Sequence, residues 1–356
     1  MPTTGSLYFH VPFCKKKCPY CHFYVTHDRP DSQKLLMEAL KVEWEQKDVQ
    51  GFQPVSIYLG GGTPSLLGTE AIATLLSWTG PAQEVTLEMN PQEVLPAYPG
   101  VNRVSLGVQS LHDPTLKMLG RTHTAKEAVQ AIFDVHRAGI ENISIDLMYE
   151  IPGQTLESWK ATLDQLAHLP ITHLSLYNLT FEANTPYFRK QKELTPLLPS
   201  SEISLQMLNL AVESFEKMGL KRYEISAFAK PGFESVHNTG YWTGRPFLGF
   251  GPSAFSYWEG KRYRNVCDLK KYASLLQNGE SPVDFEETLS PQASLHERLA
   301  VALRLVRGVD QRDYPVSPDL YSRLHALGWL AFEGNRAHLT PQGLLFYDSV
   351  ATEIIL

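Results

Sequence analysis

The sequence predicts an α/β protein, in which parallel strands form a barrel or a doubly wound sheet, followed by a small α+β module. From residue 7 to about residue 227, short β-branched or aromatic runs alternate with longer stretches of helical period. This alternation is typical of parallel strands connected by helices. After Pro291 the pattern changes to helix, helix, hairpin and helix, which resembles a winged-helix module.

Six runs are predicted to be successive buried strands, at residues 7–11, 56–59, 85–89, 103–108, 142–147 and 173–177. Between them, the first helix is expected to begin with Ser32 as its cap. Further helices are predicted over residues 125–138, ended by Gly139, and over residues 156–169, before Pro170.

The C-terminal module is predicted to begin with a helix over residues 294–306, because Ser294 and Glu297 stand at the spacing of a capping box. A second helix is expected over residues 319–327. A hairpin that turns at residues 333–335 follows, and Thr340 is the expected cap of the last helix.

Composition excludes several classes of protein. The 356 residues are 43% hydrophobic and carry 32 basic against 38 acidic residues, a net charge of -6. This balance is not that of a nucleic-acid-binding surface, and the segment after Pro291 is itself slightly acidic. No run of about 18 apolar residues occurs, and the N-terminal M-P-T-T-G lacks the pattern of an export signal. We therefore expect a cytosolic protein that is not integral to a membrane.

Three of the four cysteines, Cys14, Cys18 and Cys21, stand within eight positions of one another. Because three thiols leave one unpaired, and because disulfide frameworks belong to small secreted chains, a soft metal centre is favoured. An iron–sulfur cluster is the preferred interpretation. A zinc site remains the alternative, with His10 or His22 as a fourth ligand.

Polar residues follow every predicted strand, and in parallel α/β folds the carboxyl ends of the strands form the site. They are the cysteine loop, the run Gly60-Gly61-Gly62-Thr63-Pro64-Ser65, and Glu88, Asn90, Gln109, Asp146 and Asn178. The triple glycine either permits a turn or lets a ligand approach the backbone, and it has neither Walker A nor G-x-G-x-x-G spacing.

The spacing C-x3-C-x2-C resembles the signature of the radical S-adenosylmethionine (SAM) superfamily. The resemblance implies a partial (β/α)6, TIM-like barrel over residues 1–235, a connecting segment over 236–290 and the winged-helix-like domain over 291–356. It also implies that Cys14, Cys18 and Cys21 hold a 4Fe–4S cluster whose fourth iron is open to SAM, which the cluster cleaves to a radical.

Further motifs resemble the oxygen-independent coproporphyrinogen III dehydrogenase branch, which includes the HemW-type haem chaperones. The resemblance implies SAM or cluster contacts for a set of residues at the strand ends, with Arg121 suited to the SAM carboxylate. Taken alone, Arg121 is better explained as a solvated helix charge, so its assignment to SAM depends on the motif. The set is Tyr8, Tyr20, Gly61, Gly62, Thr63, Glu88, Gln109, Arg121 and Asp146.

Two features indicate the haem chaperones within this branch. Phe23 stands where the dehydrogenases carry a fourth cysteine, and the chaperones' H-N-x-x-Y-W motif is present as residues 237–242. In that motif His237 could ligate haem iron while Tyr241 and Trp242 stack on the porphyrin. The alternative is that His237 caps or bridges a loop and the two aromatic rings cover the bottom of the barrel.

The expected function is therefore that of a haem chaperone that transfers haem, its cargo, to an acceptor protein. Oxidative decarboxylation of coproporphyrinogen III is the alternative, and a radical SAM enzyme acting on tRNA is disfavoured by the acidic balance. Lys15, Lys16 and Lys17 could dock a reductant such as a flavodoxin or form a solvated loop. The chain departs from the family pattern at His22, where aspartate is usual, and at Glu150, where glycine is common.

Overall fold

The computed structural model of the chain describes residues 4–47, 49 and 51–356. The first three residues, on which the expectation about an export signal partly depends, lie outside this part. Within the described residues, no helix is long and apolar enough to cross a lipid bilayer.

The six predicted strands are confirmed, and each pairs in parallel with its neighbour in the chain. They are β1 (Thr4–Val11), β2 (Gln53–Gly61), β3 (Glu84–Met89), β4 (Arg103–Gln109), β5 (Asn142–Tyr149) and β6 (His173–Asn178). Their carboxyl ends therefore share one edge, as the strand-end residues require.

Six further strands extend this sheet on both sides. They are β7 (Lys221–Glu224), β8 (Ala227–Ala229), β9 (Phe247–Phe250), β10 (Phe255–Trp258), β11 (Lys261–Asn265) and β12 (Val283–Thr288). In the described residues the order is β12-β11-β10-β9-β1-β2-β3-β4-β5-β6-β8-β7. The six central strands form a partial barrel. Because β9 pairs with β1, the strands β9 to β12 extend the sheet beyond the first of these six strands, and they are called the extension strands.

The two faces of the central strands differ in polarity because side chains alternate along a strand. One row of paired residues is apolar and packs against helices, and the row beside it is polar although it too is buried. The apolar row includes Leu7, Ile57 and Val85, and the polar row includes Ser6, Ser56 and Glu84. Buried polar groups need hydrogen-bond partners, so the inner face is fixed by a network rather than by packing alone.

Helices pack on the outer face of the central strands, and further helices form most of the C-terminal module. They are α1 (Pro30–Gln46), α2 (Gly68–Thr79), α3 (Asp113–Met118), α4 (Ala125–Arg137), α5 (Leu156–Leu166), α6 (Pro186–Arg189), α7 (Gln191–Leu194), α8 (Ser201–Lys217), α9 (Val236–Trp242), α10 (Leu269–Gln277), α11 (Pro291–Ala302), α12 (Pro318–Ala326), α13 (Pro341–Leu345) and α14 (Tyr347–Ile355). Short 3₁₀ turns lie at Pro64–Leu67, Pro91–Glu93, Thr195–Leu197 and Gln311–Asp313.

Two predicted helix starts were wrong. The first helix begins at Pro30 rather than at Ser32, and α11 begins at Pro291, capped by the Ser290 side chain rather than by Ser294. In both cases a proline occupies the first turn, where its fixed φ and missing N–H suit a helix start. Thr340, by contrast, caps α13 as expected, accepting a hydrogen bond from the Gly343 N–H.

The C-terminal module has its own core and a small sheet. Strands β13 (Val309–Asp310), β14 (Leu330–Glu333) and β15 (Arg336–Leu339) pair in the order β13-β15-β14, with the predicted hairpin between the last two. The predicted order of helix, helix, hairpin and helix is present in this module. The module is attached to the sheet through Arg304, whose guanidinium lies 3.6 Å from the Glu224 carboxylate.

Candidate cluster site and an adjoining aromatic cavity

The cysteine loop begins directly after β1 and lines a cavity of about 530 Å³. Cys14, Cys18 and Cys21 are free thiols of intermediate exposure, and the Thr63 hydroxyl lies 3.7 Å from the Cys14 Sγ. The loop is fixed at both ends, because residues Phe13–Cys14 pair with Thr26–His27 as a short parallel ladder. The three thiols therefore stand at the carboxyl edge of the sheet.

The same cavity brings together all but one of the residues that the sequence singled out for SAM and the cluster. Those that line it, besides the cysteines, are Tyr20, Gly61, Gly62, Thr63, Glu88, Gln109, Arg121 and Asp146. The exception is Tyr8, which lines a neighbouring cavity instead. Asn178 and Asn90, two further strand-end residues, also line this first cavity, which is called the cysteine cavity because Cys14, Cys18 and Cys21 line it.

Gly61 and Gly62 are required by close packing of the backbone. A Cβ atom on Gly61, whose φ is +110°, would lie 2.5 Å from the His10 ring. A Cβ atom on Gly62 would lie 2.5 Å from the Phe13 carbonyl oxygen at the start of the cysteine loop. The glycine run therefore sets how closely the second strand end approaches the cysteine loop.

Glu88 lies under the glycine run and connects two neighbouring strands. Its carboxylate accepts hydrogen bonds from the Tyr58 hydroxyl at 2.6 Å and from the Gly61 N–H at 3.0 Å. Burial raises the pKa of Glu88 to about 7, although the Tyr58 hydrogen bond opposes the shift. Burial likewise raises the pKa of Asp146 to about 6, opposed by a hydrogen bond from Ser175. The floor of the cavity thus holds two acids whose ionised forms a cationic ligand would favour.

Arg121 connects the cysteine loop to the strand ends. Its guanidinium donates to the Gly107 carbonyl at 2.8 Å and to the Asn90 side chain, and it lies 3.5 Å from the Cys18 Sγ. Asn90 in turn donates to the Thr63 hydroxyl at 2.7 Å. Arg121 is therefore not a solvated helix charge. Asn90 ended a predicted strand, but only the fold shows that it bridges the glycine run and this arginine.

His10 does not have a free nitrogen for a metal. Its Nδ1 atom lies 3.0 Å from the Tyr8 hydroxyl and its Nε2 atom lies 3.0 Å from the Tyr24 carbonyl oxygen. Burial lowers the pKa of His10 to about 4. In the described part of the chain, no three His, Cys, Asp or Glu side chains converge on the position of a single metal ion. Both findings disfavour the tetrahedral zinc site, in which every ligand binds one ion.

A second cavity, of about 610 Å³, adjoins the first and is called here the aromatic cavity. It lies between β1, the extension strands β9 to β11 and the start of the C-terminal module. Its ring-bearing lining residues are Tyr8, His10, His22, Phe23, Tyr24, Tyr241, Trp242, Phe247, Phe255, Tyr257 and Tyr314. His22 and Phe23 line both cavities and so form part of the wall between them.

The H-N-x-x-Y-W motif forms most of α9, which crosses the end of the sheet opposite the cysteines. Tyr241 and Trp242 line the aromatic cavity, whereas His237 is 1% exposed and does not. The His237 Nδ1 atom lies 3.0 Å from the Ser56 hydroxyl and its Nε2 atom 2.8 Å from the Tyr241 hydroxyl. Burial lowers the pKa of His237 to about 3. For His237 this geometry favours the bridging alternative over the iron ligand.

Sequence reasoning missed several residues of the aromatic cavity. They are Arg245, Phe247, Phe255, Tyr257, Arg262, Glu297, Arg298 and Tyr314. They come from the extension strands and from the C-terminal module, and no local motif marks them. Only the pairing of β9 with β1 brings these segments beside the cysteine loop.

The fold and the cysteine site define a protein of the radical SAM class, and residues 8–166 match the model of the radical SAM superfamily. Across 99% of this chain and 90% of the other, the fold resembles that of coproporphyrinogen III oxidase (HemN) from Escherichia coli, with a TM-score of 0.84 and 21% identity.

Among curated proteins, the chain is 34% identical to the haem chaperone HemW of Lactococcus lactis, over 86% of this chain and 83% of the relative. It is 30% identical to HemW of Bacillus subtilis over 97% of both chains. The chain therefore belongs to the HemW family of the radical SAM superfamily.

Membership of this superfamily implies a 4Fe–4S cluster and SAM, and the residues present fit both groups. Thiolate sulfur is the usual protein ligand of iron in such clusters, and three free thiols face one cavity. Burial raises the pKa of Cys14 to about 11 and also raises that of Cys21, so iron must displace protons when it binds. Thr63 and Arg121 lie within reach of two of the sulfurs and could stabilise their negative charge.

Proposed function

We propose that this chain is a haem chaperone, which binds haem in the aromatic cavity and transfers it to an acceptor protein. Cys14, Cys18 and Cys21 hold a 4Fe–4S cluster whose fourth iron is left open for SAM. When bound, the cluster and SAM supply one-electron chemistry beside the haem site. A reductant such as a flavodoxin would dock at the exposed lysines of the cysteine loop.

The observation that carries the proposal is the aromatic cavity beside the cysteine cavity. Its volume of about 610 Å³ lies in the range of sites for cofactors and other ligands of similar size. A porphyrin is a flat aromatic ring system, which stacks favourably on aromatic side chains. The ring-rich lining therefore suits haem better than it suits a polar metabolite.

The polar groups of the cavity suit the two carboxylates of haem. Arg298 is exposed at the rim, and among the described residues no carboxylate pairs with it. The buried Nε1–H of Trp242 has no hydrogen-bond partner in the described part of the chain. Guanidinium and indole N–H groups both donate to carboxylates, and arginine does so in a two-pronged geometry.

Phe23 supports haem handling over porphyrinogen decarboxylation. It stands where the dehydrogenases carry a fourth cysteine, and the residue is 54% exposed and lines both cavities. A ring at this position offers apolar surface to a ligand but no thiol. The likeness to the solved E. coli enzyme concerns the fold, so it does not favour that enzyme's reaction for this chain.

One anaerobic sample tests the function. The full chain, with its cluster rebuilt, should contain about four iron and four sulfide per chain, bind haem saturably in a Soret titration and pass it to an apo-haemoprotein. The triple variant Cys14→Ser, Cys18→Ser and Cys21→Ser should lose the iron, whereas Cys267→Ser should keep it. Absence of haem binding would overturn the proposal. Consumption of coproporphyrinogen III with SAM and a reductant would replace it with the decarboxylase.

A further inference from the structure

Haem bound in the aromatic cavity needs a ligand for its iron, and the lining residues limit the choice. Proteins ligate haem iron with histidine, cysteine, methionine or tyrosine side chains. The residues that line the cavity include no cysteine or methionine, so its described part offers only histidine and tyrosine. The histidines are His10 and His22.

Most of these groups are already bound to protein atoms. Both nitrogens of His10 have hydrogen-bond partners, the Tyr8 hydroxyl and the Tyr24 carbonyl oxygen, so the Tyr8 hydroxyl is also occupied. The Tyr24 hydroxyl accepts a hydrogen bond from the Leu269 N–H at 2.8 Å, and the Tyr241 hydroxyl lies 2.8 Å from His237. Using any of them as an iron ligand would leave a partner in the interior unsatisfied.

Tyr257 and Tyr314 are the remaining phenols. A tyrosine binds iron as the phenolate, and an ordinary phenol ionises only near pH 10. Burial raises the pKa of Tyr314 further. A neutral imidazole needs no such ionisation and is the better ligand at neutral pH.

His22 differs from every other candidate in its surroundings. It is exposed, its ring lies 4.6 Å from the Phe23 ring between centroids, and no hydrogen bond to it occurs among the described residues. It lines both the aromatic cavity and the cysteine cavity. An imidazole here is available to a ligand without breaking any contact of the fold.

We propose that the His22 imidazole is the protein ligand of the haem iron in the aromatic cavity. This inference rests on the haem binding proposed above. A nitrogen lone pair of the ring forms the coordinate bond to iron, and no oxidant or reductant is needed. Because His22 directly follows Cys21, the haem iron is then held by the same loop that carries the cluster.

The test compares His22→Gly with His168→Gly, a control histidine that is exposed, lies in a turn away from the cysteine loop and lines neither cavity. Ferric haem is titrated into the full chain with its cluster rebuilt and oxidised, and the Soret position and the haem EPR spectrum are recorded. We expect His22→Gly to bind haem at least about tenfold more weakly and to lose the histidine-type spectrum. Free imidazole should restore that spectrum, and the control should match the natural chain.

Three results would overturn the inference while leaving haem binding intact. The first is an unchanged haem spectrum in His22→Gly. The second is a tyrosinate-type spectrum in the natural chain, which Tyr314→Phe then abolishes. The third is loss of iron and sulfide in His22→Gly before haem is added, because His22 would then act at the cluster. If the natural chain binds no haem at all, it is the proposed function that fails.

Discussion

The Nδ1 atom of His237 and the hydroxyl oxygen of Ser56 lie 3.0 Å apart inside the partial barrel. The backbone of the same helix is held from the other side, since the Glu84 carboxylate accepts hydrogen bonds from the N–H groups of Val236 and His237 at 2.8 and 2.9 Å. The H-N-x-x-Y-W motif is therefore hydrogen-bonded to two strands of the sheet, β2 through Ser56 and β3 through Glu84. Through Tyr241 it also positions one wall of the aromatic cavity.

Replacing His237 by alanine should destabilise the fold without removing the haem ligand. The variant leaves the Ser56 and Tyr241 hydroxyls without their partner, which costs about 1–3 kcal/mol in the free energy of unfolding. Urea unfolding measures this loss, and Thr239→Ala on the same helix serves as the control. If His237→Ala kept full stability but lost the axial signature of bound haem, His237 would be the ligand after all.

Arg121 should tune the cluster through Cys18. Its guanidinium lies 3.5 Å from the sulfur, and positive charge or hydrogen bonds near cluster sulfurs raise the reduction potential. We expect Arg121→Ala to shift the potential to more negative values in an EPR-monitored redox titration. Arg121→Lys, which keeps the charge, should shift it less. Equal potentials in the natural chain and in Arg121→Ala would contradict this role.

Glu88 should make stability depend on pH. Its pKa of about 7 in the fold exceeds the ordinary value of 4.5, so the folded state holds the proton more tightly. The stabilisation from the protonated form is complete below about pH 4.5 and is lost as pH rises through 7. It amounts to at most ~3 kcal/mol.

The comparison of the natural chain with Glu88→Gln isolates this effect. As pH rises from 5 to 8, the natural chain should lose unfolding free energy relative to the variant, because glutamine does not ionise. Glu127→Gln, at an exposed position on α4, should give a curve parallel to that of the natural chain. Parallel curves for Glu88→Gln and the natural chain would refute the raised pKa.

Arg298 should contribute to haem affinity through charge. Arg298→Ala is expected to weaken haem binding severalfold at low ionic strength, and the difference should shrink as salt screens the carboxylates. Arg137→Ala, on a helix away from both cavities, is the matched control. Unchanged affinity in Arg298→Ala at low salt would show that the haem carboxylates lie elsewhere.

Glu150 adopts a backbone conformation that favours glycine. Its φ is +59°, in the left-handed region, where a Cβ atom costs about 1–2 kcal/mol. Glu150→Gly should therefore raise the free energy of unfolding by about 1 kcal/mol, after the larger unfolded-state entropy of glycine is subtracted. Glu141→Gly, at the opposite end of β5 and without a positive φ, should lower the free energy of unfolding. Thermal or urea unfolding measures the stability of both variants. A lower free energy of unfolding for Glu150→Gly would show that the backbone at Glu150 is not strained.

The departures of the structure from the sequence-based expectations have specific causes. Ser32 and Ser294 are good capping residues, but each helix begins earlier because Pro30 and Pro291 start the first turn. Tyr8 was expected in the cofactor cavity. It lies on the inner face of β1, where its hydroxyl meets His10, and this places it in the neighbouring cavity.

The sequence by itself determined the parallel strands, the glycine run and the residues at the strand ends, because alternation and spacing are local properties that the chain's own chemistry enforces. Only the tertiary structure decided where the segments after residue 240 lie. The pairing of β9 with β1 is a long-range contact with no local signal, and it creates the aromatic cavity beside the cysteines. The fold also distinguishes two histidines: both nitrogens of His237 lie within hydrogen-bonding distance of buried hydroxyls, whereas His22 is exposed and lines both cavities.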